Sequence, residues 1–253
     1  TEAKLRLKDR NQTKMEPSQR WGQVKDRRRS REMKIAVIAG TNTDTRMGME
    51  YLRNLDPALE LMSYPVSSTC EEQARFQYAD NKEKEERIDD IFHQARTCGI
   101  EDFFIYCNSL AGAFDFDSYM NVRNVRVYTP LQIYRQLGKK YQKVAVIAAH
   151  NQSCYHIEEA LSEGHGDFMT VLGAGIFPAV QAVEDGMPPE EIVKNMNLES
   201  LCSFFEQNQA ECLVLGCTHF PYFATALQKV TKLKIIDPAY EMYQKCKREN
   251  SSD

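Results

Sequence analysis

The chain has 253 residues, enough for one large domain or two small ones with a real core. With 42% hydrophobic and 27% charged residues, and no apolar run near the ~20 residues of a membrane helix, it reads as an ordinary globular protein with no membrane partner. Charge is uneven: residues 1–33 carry 11 Lys/Arg against 5 Asp/Glu, net +6, so the rest carries −10 of the total −4, and an acidic body argues against nucleic-acid binding.

The basic arm contains Arg27-Arg28-Arg29-Ser30-Arg31 and few apolar residues. It predicts a disordered extension ahead of a domain that starts near Met33. No apolar signal core precedes that point, and the eight cysteines include no CxxC pair. Reduced thiols in a cytoplasmic protein are the expectation, not a disulfide scaffold.

From Lys34 the pattern alternates strand and helix. Lys34–Ala39 is a short β-rich apolar run ended by Gly40, and 45–55 reads as a helix. Residues 59–65 predict a second strand. Ile88, Ile91, Phe92 and Ala95 recur at i, i+3, i+4, i+7, which predicts an amphipathic helix over 82–98 closed by Gly99. Strands follow at 102–106 and 125–128, and Thr129-Pro130 opens a helix to Leu137.

The plan then restarts. Lys143-Val-Ala-Val-Ile-Ala148 echoes Lys34-Ile-Ala-Val-Ile-Ala39, and again a polar turn and a helix follow. Residues 168–172 predict a strand, 188–208 helix, 212–216 a strand, and 234–237 a last strand before a C-terminal helix. The fold class expected is α/β, with two pseudo-symmetric lobes, parallel sheets flanked by helices, and the active site between the lobes. The lobes are placed at 34–131 and 132–231, with 232–253 returning to the first. The loops after Ala39, Tyr106, Ala148 and Gly216 should converge, because ligands bind at the carboxyl ends of such strands.

Two of those loops carry a thiol. Cys107-Asn108-Ser109 and Gly216-Cys217-Thr218-His219 each end an apolar strand and enter polar residues. Free N–H groups at a helix start would lower a thiol pKa below about 8.5 and hold a carboxylate. Two such turns facing each other offer a base on one face of a small substrate and an acid on the other. Cys70, Cys98, Cys154, Cys202, Cys212 and Cys246 read instead as small buried hydrophobes. Cys217-Thr218-His219 lacks zinc-ligand spacing. A Cys–His hydrolase remains an alternative, with His150, His156, His165 or His219 as partner.

At these residues the chain resembles the aspartate/glutamate racemase superfamily. That family carries Cys-Asn-Thr/Ser in its first half and Gly-Cys-Thr-His-(Tyr/Phe)-Pro in its second. Here these are Cys107-Asn108-Ser109 and Gly216-Cys217-Thr218-His219-Phe220-Pro221, with the cysteines 110 residues apart. The resemblance implies a racemase that needs neither pyridoxal phosphate nor metal, and a homodimer. It implies Cys107 and Cys217 as the two catalytic thiols, with Asn108, Ser109 and Thr218 holding a carboxylate or amino-acid substrate. His219 would assist Cys217, and Glu184 is the nearest match to an acidic helper. The first loop departs from the family: in place of Asp-Ser-Gly it has Gly40-Thr41-Asn42-Thr43-Asp44-Thr45-Arg46. Thr43, Asp44 and Thr45 are assigned to substrate binding, with Ser153 from the comparable loop of the second half. Aspartate or glutamate is the favoured substrate type. The alternatives are an isomerase or lyase acting on a small dicarboxylate or hydantoin, and a non-enzymatic binder on the same fold.

Overall fold

The computed structural model describes residues 33–251, so the extension expected over 1–33 lies, Met33 apart, outside the described residues. The first half runs β1 (Lys34–Ala39), α1 (Asn42–Leu55), β2 (Glu60–Pro65), α2 (Cys70–Tyr78), α3 (Asn81–Thr97), β3 (Asp102–Ile105), α4 (Asn108–Ala113), α5 (Phe116–Arg123), β4 (Arg126–Tyr128) and α6 (Pro130–Gly138). The second runs β5 (Lys143–Ala148), α7 (Asn151–His165), β6 (Thr170–Gly175), α8 (Phe177–Glu184), α9 (Pro189–Asn195), α10 (Leu198–Gln207), β7 (Cys212–Leu215), a 3₁₀ turn (Phe220–Phe223), α11 (Ala224–Gln228), β8 (Lys234–Ile236) and α12 (Pro238–Ser251).

All strands are parallel and form two four-stranded sheets with one plan, β2-β1-β3-β4 and β6-β5-β7-β8. The two lobes are thus α/β and alike, as the repeated strand motif predicts. Apart from the half-buried Lys34 and Lys143 that open β1 and β5, the inner strands are buried because helices cover both faces. Within β5, Val144, Val146 and Ala148 join one apolar cluster, while Ala145 and Ile147 face another. Register equates the halves: Ile38 pairs with Ile105, and Ile147 with Leu215. Each thiol lies two residues beyond the second member of its pair.

The start of α1 lies at Asn42, earlier than the pattern suggests, because Thr41 caps it by accepting from the Asp44 N–H. The run 188–208 splits into α9 and α10 at Asn197, which takes the left-handed conformation. The strand expected at 168–172 begins at Thr170. Cys154, Cys202, Cys212 and Cys246 are buried, but Cys98 is exposed at the end of α3.

The C-terminal segment divides between the lobes. β8 pairs with β7 and completes the second sheet, while α12 packs on α6 and β4 of the first lobe. Three tyrosine hydroxyls cross between the halves. Tyr51 donates to Asp237, Tyr106 to the Thr218 carbonyl at 3.1 Å, and Tyr243 to Asp56 at 3.0 Å. Helices α6 and α7 meet backbone to backbone. A Cβ on Gly138 would lie 2.0 Å from the Leu161 carbonyl oxygen, and one on Gly164 2.0 Å from that of Arg135. Among the described residues, no helix is long and apolar enough to cross a membrane.

Candidate active site

The strand-end loops converge on one cleft of about 960 Å³, at the upper end of the range for small-molecule sites. It is lined by residues 41–44 after β1, 107–109 after β3, 149, 150, 152 and 153 after β5 and 216–219 after β7. Cys107 and Cys217 both face it.

Cys107 precedes α4 and is 8% exposed. Its Sγ lies 3.2 Å from Ser109 Oγ and 4.0 Å from Gln73 Nε2. Burial pushes this thiol up, and the nearby Asp44 carboxylate pushes it further; the Ser109 hydroxyl and the Leu110 and Gly40 N–H groups pull the other way. Asp44 itself is held at the start of α1 by the Thr41 hydroxyl, which donates to it at 3.1 Å.

Cys217 is followed by a turn, not by a helix start. Its thiol is pushed up to about 12, chiefly by burial and then by Cys107, Asp44 and Glu184; the His219 N–H opposes this. The lowered thiol pKa expected from a helix terminus is therefore reversed at both sites. Desolvation of a thiolate packed among its neighbours outweighs a few N–H dipoles, and α4 has only 6 residues to align.

Behind Cys217 stands a relay. Its Sγ lies 3.7 Å from His219 Nδ1, and His219 Nε2 lies 3.2 Å from Glu184 Oε1 at the end of α8. An ionised carboxylate only accepts, so Nε2 carries the proton in this pair, and a neutral ring then presents Nδ1 to the thiol as an acceptor. Among the described residues Cys107 has no such imidazole; hydroxyl, amide and the Asp44 charge surround it instead.

The other expected residues divide. Asn108, Ser109, Thr218, Thr43, Asp44 and Ser153 line the cleft. Tyr134 fixes Asn108 by donating to its Oδ1 at 2.6 Å. Thr45 does not reach the cleft: it is fully buried, and its hydroxyl donates to the Thr41 carbonyl at 2.7 Å inside α1. Helical phase turns residue 45 inward while 43, 44 and 46 stay at the opening. Arg46 lines the mouth, exposed and without an ion pair among the described residues.

One contributor was not anticipated: α2 and the turn before it bring Ser68, Thr69 and Gln73 to the Cys107 side. His150, named above as a candidate thiol partner, lines the cleft but stacks on Phe177 with ring centroids 4.7 Å apart. The α2 contribution had a readable signal. Thr69 accepts from the Glu72 N–H at 3.1 Å, and Glu72 Oε2 accepts from the Ser68 N–H at 2.7 Å, a variant of the capping box. Among the described residues no three His, Cys, Asp or Glu side chains converge so as to hold a metal ion.

No family model matches the chain, and no curated protein matches it in sequence. Solved structures do share its fold. Glutamate racemase from Thermus thermophilus, in complex with β-chloro-D-alanine, is 16% identical with a TM-score of 0.62, covering 87% of this chain and 81% of that one. Glutamate racemase from Francisella tularensis, in complex with D-glutamate, gives 16% identity, a TM-score of 0.60, and coverage of 87% and 82%. An aspartate racemase homologue from Pyrococcus horikoshii gives 18% identity, a TM-score of 0.59, and coverage of 86% and 99%. At these identities the likeness shows the two-lobed α/β fold.

Proposed function

We propose that the protein is an amino-acid racemase of the aspartate/glutamate type, working through Cys107 and Cys217. The observation that carries this is the matched placement of the two thiols after β3 and β7, lining one cleft from two lobes of the same plan. The fold shared with glutamate racemases and an aspartate racemase homologue supports it.

The chemistry follows from the surroundings. Cys217 passes its proton to His219 Nδ1, Glu184 stabilises the imidazolium, and the thiolate takes the α-proton. Cys107 then delivers its own proton to the opposite face. One proton goes from carbon to sulfur and one from sulfur to carbon; for the other enantiomer the roles exchange. Asn108, Ser109 and Thr218 hold the α-carboxylate, and the substrate's ammonium lies toward Asp44. That ammonium offsets the Asp44 charge, so the thiols ionise more readily with substrate bound than in the free protein.

The test is elimination from D- and L-β-chloroalanine, which needs one base to remove the α-proton as chloride leaves. Cys107→Ser and Cys217→Ser should each lose racemisation of aspartate and glutamate, yet each should still eliminate from one enantiomer, and not the same one. The same preference in both variants would rule out opposed thiols.

A further inference from the structure

Beside the cleft lies a second cavity of about 230 Å³, and the two share Gln77, Asn108, Ser109, Gln152 and Ser153. These five amide and hydroxyl side chains form a polar passage between them. Among the described residues no Asp or Glu lines the second cavity; its charged groups are Lys84 and, when protonated, His156.

Lys84 is unusual. It is the buried cation among the described residues, 8% exposed, whereas the buried acid Asp102 is paired with Arg126 at 2.8 Å. Lysines are rarely buried unless paired, because an ammonium stripped of water without a counter-charge is costly. Among the described residues Lys84 has no side-chain hydrogen bond or ion pair. No fully enclosed side-chain nitrogen or oxygen there lacks a partner, so the unpartnered ammonium is not sealed in, and Lys84 is part of the wall of the second cavity.

We propose that the side cavity takes the distal carboxylate of the substrate and that Lys84 is its counter-charge, a specificity-determining residue. The substrate class is then an amino acid with an acidic side chain. Its α-carbon lies between the thiols, and its side chain runs through the polar passage. The identity of this substrate rests on the racemase reading, but the anion site does not.

Two measurements keep those claims apart. The first is α-hydrogen exchange in D₂O for glutamate, aspartate and their side-chain amides. Lys84→Met and Lys84→Gln should raise KM for the acids about tenfold or more, the worth of a charge-assisted hydrogen bond, with kcat little changed. The amides should move less than about threefold, and Lys84→Arg should recover part of the loss. Equal losses for acids and amides, or an unchanged KM for the acids, would overturn the assignment. The second is calorimetric binding of glutarate, which has two carboxylates and no amino group. Binding that weakens about tenfold in Lys84→Met supports the anion site even if no amino acid exchanges, and the racemase reading alone would then fail. Glutarate binding that is absent, or indifferent to both variants in protein that melts like the wild type, refutes the site.

Discussion

Burial, not the strand-end turn, sets the state of the Cys217 thiol, and this makes its chemical reactivity a quantitative test. An ordinary thiol ionises near 8.5, and Cys217 at about 12. At pH 7.5 the thiolate fraction is therefore lower by a factor of about 3,000. A more basic thiolate is also more nucleophilic; with a Brønsted slope of about 0.45 this returns a factor of about 40. The balance is exchange with an aromatic disulfide on the order of 10² slower than for free cysteine in the same buffer. The assay is time-resolved labelling, with peptide mass spectrometry to separate Cys217 from the exposed Cys98. Restricted access would also slow the reaction, so the pH dependence decides. Between pH 7.5 and 9.5 the Cys217 rate should rise close to tenfold per pH unit, while free cysteine levels off above about 8.5. A Cys217 rate equal to that of free cysteine, or a plateau below pH 9, would refute the reasoning.

Three further outcomes are expected. Glu184→Gln removes the charge behind His219, so elimination from the β-chloroalanine enantiomer served by Cys217 should slow by about 10²-fold, as for other general-base assistance, while the other enantiomer changes less than about twofold; equal slowing of both would detach the relay from Cys217. Stability should fall at alkaline pH: Cys202 ionises at about 11 and Cys212 and Cys246 at about 12 when folded, so above about 8.5 the unfolded chain loses protons the folded one keeps. Each thiol then costs up to about 1.4 kcal/mol per pH unit, and thermal melts from pH 8 to 10 should show a declining Tm, less steep in Cys212→Ala than in wild type. Gly138→Ala drives a methyl into the Leu161 carbonyl and should cost about 1–3 kcal/mol or more, whereas Gly112→Ala, with its nearest neighbour at 3.9 Å, should be neutral or slightly stabilising; paired denaturant titrations compare them.

The fold was legible because its strands are short, buried and repeated. The two Lys-initiated apolar runs became β1 and β5, and the apolar stretches before the two cysteines became β3 and β7. The four loops after β1, β3, β5 and β7 that line the cleft follow from that order, whereas the turn at 68–69 does not. The ionisation of the thiols was not legible, because desolvation depends on what closes over a residue, and α2 and α8 are the elements that do so. Lys84 shows a signal that went unread. The apolar stripe of α3 at 88, 91, 92 and 95 extends back by one turn to residue 84, so the same periodicity that predicts the helix places a lysine on its buried face. A charged residue on such a stripe asks for a partner that composition cannot supply.

The two thiols stand in lobes of one plan but in unlike company: hydroxyl, amide and the Asp44 charge around Cys107, an imidazole–carboxylate pair behind Cys217. Enantiomers of a substrate with one stereocentre have equal free energies, so the equilibrium constant of their interconversion is one. The Haldane relation then forces kcat/KM to be the same in both directions, however unequal the two bases are. The asymmetry can surface only as offsetting differences in kcat and KM, with the direction that binds its substrate more tightly also turning it over more slowly. On the proposed racemase reading, unequal supports on a symmetric scaffold therefore set which enantiomer saturates the protein first, and leave the balance between the two hands untouched.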